Sequence, residues 1–317
     1  MFPQIYKFSR TDIRIIDIFV FLKNNHHKMR VRLLTILAAA AILFGCTEKN
    51  GTTPDNIDTD LSGAPELPAD PQPENISFDH RIMLLQHTGT YCPNCPNLMT
   101  SLKEVAQDKA YSGRYVHVAS HSYNADGDLA YSEAASKISQ AFCSGYYPEL
   151  TFNLTSENTG TSIAASTIKS MIDGLHKDAA DVGIAAAAKI MNDGKLGIIA
   201  ELKAAVENNY RIAVWLLEDG IESEQMGATA EWQHTHNNAL RAMAGSSLNL
   251  RIYGAKAGLI PSGEKYASTF VIEMEEGWKS ENCKVLILAN AHQPDGRVDV
   301  ANCVICPIGK SVTYDYR

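Results

Sequence analysis

The chain has 317 residues, of which 45% are hydrophobic and 20% are charged, which is the composition of a globular protein long enough for two ordinary domains. Its 28 Lys/Arg and 36 Asp/Glu give a net charge of −8. Residues 1–45 hold seven of the basic and two of the acidic residues, so 21 basic and 34 acidic residues remain beyond them. Such an acidic chain repels phosphate backbones, and we therefore predict no nucleic acid partner.

A short basic and apolar segment near the N-terminus has the pattern of an export signal. From Met29 the chain reads Met-Arg-Val-Arg, then an apolar run over residues 33–44, then Gly45-Cys46. The run is shorter than the roughly 20 residues of a membrane-spanning helix. We predict a signal peptide at residues 29–45 and a non-native upstream extension at residues 1–28. The alternative is a buried helix that ends in a chance cysteine.

Residues 43–46, Leu-Phe-Gly-Cys, resemble the lipobox of bacterial lipoproteins, although Phe44 is bulkier than the usual residue. The resemblance implies that Cys46 receives the lipid and that the chain meets a lipid bilayer through an N-terminal acyl anchor. Residues 46–75 contain five prolines among Thr, Asn, Asp and Gly. A segment of this composition buries little apolar surface, so we predict a disordered tether here.

Residues 76–178 alternate between strand-like and helix-like patterns. Apolar runs predict strands at residues 81–87, 115–120 and 149–154. Helices are predicted after Cys92, at residues 133–142 and at residues 162–176. The order strand, helix, strand, helix, strand predicts an α/β domain.

The strand-like patterns in the remainder of the chain, residues 179–317, predict an all-β sandwich of the immunoglobulin-like kind. An Asp193-Gly194 turn predicts a hairpin between its first two strands, although the alanine run at residues 185–188 equally favours a helix. The seven candidate strands are residues 182–191, 196–205, 210–217, 248–253, 266–273, 284–291 and 298–305.

Cys92-Pro93-Asn94-Cys95 is the motif that carries chemistry. It follows an apolar strand and opens a helix, and unpaired N–H groups at a helix start stabilise a thiolate. The spacing lets Cys95 reach Cys92 and resolve a mixed disulfide. The alternatives are an inert structural disulfide and half of a zinc site. Thioredoxin-like folds place a cis-proline beside such a pair, and Pro148 holds the matching position.

The sequence around this motif resembles the twenty-eight-kilodalton outer-membrane-protein family of bacterial lipoproteins. Leu-Leu-Gln-His-Thr-Gly-Thr-Tyr-Cys-Pro-Asn-Cys-Pro at residues 84–96 carries the resemblance. Ser-His-Ser at 120–122, Gly-Tyr-Tyr-Pro at 145–148 and His-Asn-Asn-Ala-Leu-Arg at 236–241 extend it. It implies a lipid-anchored outer-membrane location, facing the periplasm or the exterior, and a thioredoxin-like fold for residues 76–178.

The strand before the motif departs from that family. Thioredoxins keep a buried acid there to move the proton of the resolving thiol, and this chain has Leu85 and Gln86. Gln86 cannot take a proton, which leaves His87 as the candidate. We predict a pocket beside the cysteines, lined by the side chains of Tyr91, His87, His121 and Tyr147.

Further cysteines and histidines give weaker signals. If residues 284–291 and 298–305 pair around Asp295, Cys283 lies nearly opposite Cys306, which predicts a structural disulfide. Cys303 and Cys306 form a second Cys-x-x-Cys, but residues three apart in a strand point to opposite faces. His234 and His236 are a possible metal chelate without an evident third ligand, so neither a metal nor a cofactor is predicted.

Two functions remain open on the sequence. Cys92 as nucleophile, Cys95 as resolving thiol and Pro148 beside them predict a thiol–disulfide oxidoreductase that acts on envelope proteins. The alternative is a binding or structural lipoprotein with a permanent Cys92–Cys95 disulfide. Exposure of Cys92 separates them, because exchange requires an accessible sulfur.

Overall fold

The computed structural model describes residues 63–124, 126–160 and 162–317. The signal peptide predicted at residues 29–45 and the lipid attachment predicted at Cys46 lie outside these residues. None of the helices in the described ranges is long and apolar enough to cross a membrane.

The first half of the described chain alternates strands and helices. Its strands are β1 (Ile82–Thr88), β2 (Tyr115–His121) and β3 (Glu149–Phe152), and its helices are α1 (Cys95–Gln107), α2 (Glu133–Phe142) and α3 (Ala165–Leu175). β1 pairs parallel with β2 and antiparallel with β3. The α2 helix begins where the sequence predicts it, because the Ser132 hydroxyl accepts a hydrogen bond from the Ala135 N–H.

The second half is built mainly of strands. They are β4 (Val182–Ile190), β5 (Leu196–Ala204), β6 (Asn208–Glu218), β7 (Ile221–Glu222), β8 (Thr235–His236), β9 (Ala239–Met243), β10 (Ala255–Ile260), β11 (Lys265–Ile272), β12 (Cys283–His292), β13 (Val298–Pro307) and β14 (Lys310–Val312). The predicted hairpin between β4 and β5 is confirmed by their antiparallel pairing.

A helix stands where the sequence predicts a strand at residues 248–253. Leu-Asn-Leu-Arg-Ile-Tyr alternates apolar and polar residues, yet Leu248–Tyr253 is the helix α4. The Ser247 hydroxyl accepts a hydrogen bond from the Leu250 N–H at one end, and Gly254 ends the helix with φ of 86°. Local capping therefore outweighs the alternation of apolar residues.

One sheet runs through both halves of the chain. Its strand order is β13-β12-β6-β9-β2-β1-β3, and β10 pairs with the other end of β6. β9, which the sequence patterns do not predict, lies between β6 and β2. The hydrogen-bonded sheet therefore crosses the domain boundary predicted between residues 178 and 179, and the division into two domains stays a prediction. The result is a β-rich fold.

Three apolar cores fix the layers around this sheet. One core packs α1 and α3 against β1 and β3. A second packs α2 against the sheet together with residues of β6 and β12. The third joins the opposite face of β6 and β12 to β4 and β5, which belong to a second sheet of order β11-β5-β4-β14.

Residues 63–75, which the sequence assigns to a disordered tether, pack on this second sheet. The ammonium of Lys203, a buried residue of β5, lies 3.2 Å from a carboxylate oxygen of Asp70. Asp70 also accepts a hydrogen bond of 2.7 Å from the Tyr316 hydroxyl. A buried ammonium requires a negatively charged partner, and Asp70 supplies the carboxylate. This contact orders the segment, so the prediction of a disordered tether is wrong for residues 63–75.

Candidate functional site

The cysteine motif lies in the turn between β1 and α1. The Cys92 N–H donates to the Gly89 carbonyl at 3.0 Å, and the Cys95 N–H donates to the Cys92 carbonyl at 3.2 Å. Cys92 and Cys95 form a disulfide with Cα atoms 5.4 Å apart. The first residue of α1 is Cys95, so Cys92 precedes the helix rather than standing at its start as predicted.

Neither cysteine is accessible to solvent. Cys92 is 1% exposed and Cys95 is 0% exposed. Residues 223–233, a segment between β7 and β8 that we call the cover segment, contact the cysteine turn from more than 130 positions away in the chain.

Gln225 makes the central contacts of the cover segment. Its side-chain amide nitrogen donates to the carbonyl of Cys92 at 3.0 Å and to the carbonyl of Thr90 at 3.1 Å. The same nitrogen lies 3.4 Å from the Gly89 carbonyl oxygen. Gln225 itself is buried. One side chain therefore adds a second donor to the carbonyls of Cys92 and Thr90, which also accept from the N–H groups of Cys95 and Met226.

The backbone of the cover segment lies equally close to the turn. The Met226 N–H donates to the Thr90 carbonyl at 2.7 Å. Gly227 follows with φ of 75°, and a Cβ atom at this position would overlap the carbonyl oxygen of Pro93. A glycine is required here both for the positive φ and for the close approach of the two backbones.

Gln233 holds the far end of the cover segment. Its side-chain nitrogen donates to the Pro96 carbonyl in the first turn of α1 at 2.9 Å. Its side-chain oxygen accepts from the Thr229 N–H at 2.7 Å and from the Ala230 N–H at 3.1 Å. The segment is thus attached to the cysteine turn at one end and to α1 at the other.

Asp128 supports the cysteine turn from the other side. One carboxylate oxygen accepts from the Thr90 N–H and faces His121 Nδ1, each at 2.9 Å. The other oxygen accepts from the Ala130 N–H. Burial raises the pKa of Asp128, but the hydrogen bond from His121 and the backbone donors outweigh it and bring the pKa to about 2. Asp128 therefore links the turn to the end of β2 as a carboxylate.

His87, the predicted proton acceptor, is occupied within the core. Its ring is fully buried, with Nδ1 2.9 Å from the Ser139 hydroxyl and Nε2 3.1 Å from the Thr151 hydroxyl. Burial lowers the pKa of His87 to about 4. Both ring nitrogens have partners away from the cysteines, so the ring has no free nitrogen for a thiol proton.

The Tyr147-Pro148 peptide bond is cis, as predicted. Pro148 immediately precedes β3, whose Glu149 is paired with His87 near the end of β1. The proline therefore lies at the end of the sheet from which the cysteine turn leaves β1.

The four side chains of the predicted pocket do not all lie together, and the pocket itself stays a prediction. Tyr91 is half-exposed, and the Tyr147 hydroxyl is bonded to the Ser122 hydroxyl at 3.0 Å. His121 instead lines a cavity of about 290 Å³ beside α1, which none of His87, Tyr91 and Tyr147 reaches. His87 and Tyr147 are connected through the hydroxyls of Ser139 and Ser122, which lie 2.8 Å apart, whereas His121 faces the cavity beside α1.

The predicted Cys283–Cys306 disulfide is wrong. Both thiols are free, and Cys306 is paired with Val285, two residues along β12 from Cys283. The extra residue Ala301 shifts the register between β12 and β13, a β-bulge that the sequence does not reveal. Cys303 and Cys306 pack into different cores, as expected for residues three apart in a strand.

His234 and His236 do not share a ligand position. His234 Nδ1 accepts from the Gln225 N–H, whereas His236 Nε2 donates to the Ser223 carbonyl at 3.0 Å. Across the described ranges, no group of three His, Cys, Asp or Glu side chains has an arrangement that could hold a metal ion.

Several residues of the site escape sequence analysis. Gln225, Gln233 and Asp128 are polar residues in turn-rich segments, and nothing in their own neighbourhood marks them as buried. For Gly227 the residue type gives one signal, because glycine readily adopts the positive φ that is found at this position. Their role depends on contacts between distant parts of the chain.

No protein-family model matches the chain, and no curated protein sequence matches it. Among solved structures, HBP35 of Porphyromonas gingivalis is similar with a TM-score of 0.60 at 12% identity, over 75% of this chain and 78% of that one. A protein from Agrobacterium tumefaciens gives a TM-score of 0.48 at 13% identity, over 75% of this chain and 99% of the other. A domain of the outer membrane lipoprotein Omp28 from Porphyromonas gingivalis gives a TM-score of 0.27 at 19% identity, over 41% of this chain and 88% of the domain. The chain therefore shares a fold with HBP35 at low sequence identity.

Proposed function

We propose that the protein is a cell-envelope lipoprotein of the binding or structural class, anchored in the outer membrane through Cys46, with Cys92–Cys95 as a permanent disulfide. The export-signal pattern at residues 29–45 and the lipobox-like residues 43–46 support the anchoring. A thioredoxin-like arrangement of residues 76–178 is part of the proposal. The parallel β1–α1–β2 unit, the antiparallel β3 and the cis-proline before β3 support it.

The burial of Cys92 carries the proposal. Thiol–disulfide exchange begins with a thiolate attacking one sulfur in line with the disulfide bond, so it requires open space at that sulfur. Cys92 is 1% exposed, and its carbonyl is hydrogen-bonded to the cover segment. Hydrogen bonds from Gln225 and the Met226 N–H hold that segment in place. A disulfide in this position is protected from both substrates and reductants.

Neither Gln86 nor His87, the two β1 residues considered for the role, is a free proton acceptor of the kind that rapid exchange requires. Gln86 replaces the buried acid of thioredoxins in β1. His87 has both ring nitrogens hydrogen-bonded and a pKa lowered to about 4 by burial. The disulfide is better suited to fixing the start of α1 against the cysteine turn than to turnover.

Thiol–disulfide exchange with envelope proteins is the second candidate function. It is favoured by the position of the pair at the start of α1, at the same end of the sheet as the cis Tyr147-Pro148 bond. In this case the cover segment must open before Cys92 can react. Cys92 would be the nucleophile and Cys95 the resolving thiol.

Single-cysteine variants expressed in the native envelope distinguish the two functions. The proposal predicts that Cys95→Ala and Cys92→Ala both accumulate no mixed disulfides on non-reducing gels. Each variant also carries Cys143→Ala, which removes the half-exposed free thiol as a source of artefactual cross-links. Mixed disulfides with Cys95→Ala but not with Cys92→Ala would refute the permanent disulfide and support exchange.

The anchoring is tested separately by mass spectrometry of the protein isolated from its native membrane. An acylated Cys46 at the N-terminus is expected. An unmodified N-terminus at Met1 or Met29 in the membrane fraction would overturn it.

A further inference from the structure

A cavity of about 290 Å³ lies next to the cysteine turn, between α1 and the adjoining ends of β1 and β2. Ligand pockets in proteins usually enclose about 300–1,000 Å³, so this cavity has room for a small organic molecule. One of its walls is apolar and is formed by one face of α1 together with the indole of Trp232. The apolar wall consists of Met99, Leu102, Ala106 and Trp232.

The opposite wall is polar and contains the imidazoles of His117, His121 and His236. His121 Nδ1 is fixed by Asp128, and His236 Nε2 is fixed by the Ser223 carbonyl at 3.0 Å. Because one nitrogen of each ring is bonded outside the cavity, the ring orientations are set without a ligand. The two rings pack edge to face with centroids 4.8 Å apart. This wall is therefore preformed.

Gln86 supplies an unsatisfied polar group to the same wall. Its side-chain oxygen accepts from His117 Nε2 at 2.9 Å, and its side-chain nitrogen has no hydrogen-bond partner among the described residues. Gln86 is 3% exposed and lines the cavity. A buried donor without a partner costs about 1–3 kcal/mol, which an acceptor oxygen of a bound molecule would recover.

The charge of the cavity favours an anion. Of the described residues that line it, none is acidic, and the ammonium of Lys103 lies 4.1 Å from the centroid of the Trp232 ring. The ammonium of Lys103 and the unpartnered side-chain N–H of Gln86, both on residues that line the cavity, match a negatively charged oxygen. The apolar wall matches a hydrocarbon body.

We propose that this cavity binds a small monocarboxylate with an apolar body, its carboxylate accepting a hydrogen bond from the Gln86 side-chain nitrogen and its body lying between α1 and Trp232. The inference rests on the proposed function, because it assigns a ligand class to a lipoprotein of the binding class.

Calorimetric titration of the full-length protein with three probes of one shape tests the ligand class. The probes are 3-phenylpropionate, the neutral 3-phenylpropan-1-ol and the cationic 3-phenylpropylamine. We expect the carboxylate to bind at least about tenfold more tightly than the alcohol, the difference of one charge-assisted hydrogen bond, and the amine not to bind. Equal binding of carboxylate and alcohol, or no carboxylate binding tighter than about 10 mM, overturns the proposal.

Variants then locate the site. Gln86→Glu keeps the size and the acceptor for His117 but replaces the free donor by a negative charge, so carboxylate binding should fall at least about tenfold. Lys103→Gln should weaken it several-fold, and Lys109→Gln, outside the cavity, should not change it. If Gln86→Glu does not fold, the comparison of carboxylate binding by Lys103→Gln and Lys109→Gln decides whether the cavity is the binding site. Unchanged binding in Lys103→Gln overturns the site.

The two proposals fail in different measurements. The titration alters neither Cys92 nor Cys95, so an absence of carboxylate binding leaves the disulfide proposal untouched. Conversely, mixed disulfides trapped by Cys95→Ala would refute the permanent disulfide whatever the outcome of the titration.

Discussion

The side-chain nitrogen of Gln225 donates a hydrogen bond of 3.0 Å to the carbonyl of Cys92, which lies 133 residues earlier in the chain. This contact joins the cover segment to the cysteine turn. It explains how a Cys-x-x-Cys pair that follows a strand and precedes a helix is nevertheless buried.

Removing the Gln225 amide should expose the disulfide. Gln225→Leu removes one hydrogen bond each from the carbonyls of Thr90 and Cys92, which keep their backbone donors, so each loss costs about 0.5–1.5 kcal/mol. These lost bonds lower the free energy needed to open the cover segment locally. The rate of reduction of the disulfide by dithiothreitol should therefore rise by about 10- to 100-fold. Thiol labelling followed by mass spectrometry measures the rate. Gln140→Leu on the exposed face of α2 is the control and should leave the rate unchanged.

A methyl group at Gly227 should have a similar effect through packing. Gly227 has φ of 75° and lies against the Pro93 carbonyl, so Gly227→Ala introduces both backbone strain and an overlap. Gly113 has φ of 77° with no atom within 4 Å of an added Cβ, so Gly113→Ala introduces the strain alone. We expect reduction of the disulfide to be at least about tenfold faster in Gly227→Ala than in Gly113→Ala. Equal rates would mean that the backbone contact does not restrict access.

The three buried cysteines outside the motif should be free and unreactive in the folded protein. Burial raises the pKa of Cys283 and Cys303 to about 12 and that of Cys306 to about 11. Because the thiolate is the reactive form, iodoacetamide at pH 8 should label none of them until the protein is denatured. Peptide mapping reads the labels. Recovery of a Cys283–Cys306 cross-linked peptide would contradict the observed register of β12 and β13.

Stability should fall as the solution is acidified below about pH 6.5. Burial is the main cause that lowers the pKa of His87, His117 and His236 to about 4 each, against an ordinary value of 6.5. Between these pH values the unfolded chain takes up protons that the folded protein does not, so the free energy of unfolding decreases. Each histidine contributes up to about 1.4 kcal/mol per pH unit.

Urea denaturation at pH 7 and at pH 4.5 measures this loss. His87→Gln removes one of the titrating groups, so it should reduce the difference in the free energy of unfolding between the two pH values. His292→Gln at the end of β12 serves as the control. A difference that is the same in the His87 variant and the unmodified protein would show that His87 is protonated equally in both states.

Local patterns predict much of the first half of the fold. The strands β1 and β2 and the helix α2 are close to their predicted bounds, because short apolar runs and a capping serine act within a few residues. The β4–β5 hairpin likewise follows from Asp193-Gly194. For the helix α4 the sequence predicts a strand, because its apolar alternation gives no sign of the caps at Ser247 and Gly254.

The candidate site is predicted only in part. The sequence identifies the Cys92–Cys95 pair and the cis-proline at Pro148, which are local motifs. It does not identify the cover segment, because Gln225 and Gln233 form their contacts across more than 130 residues. The register error at Cys283 and Cys306 has a related cause, since a single bulge residue shifts every pair beyond it.

The reduction potential of the Cys92–Cys95 disulfide in the folded protein tests the central claim most directly. It is measured by equilibrating the purified protein in dithiothreitol buffers of defined potential and quantifying free thiols, with Cys143→Ala to simplify the count. A buried, permanent disulfide predicts a potential below about −300 mV, beyond the reach of glutathione. A potential between about −120 and −270 mV, the range from strongly oxidising exchange proteins to thioredoxin, would contradict the claim and support exchange at this pair.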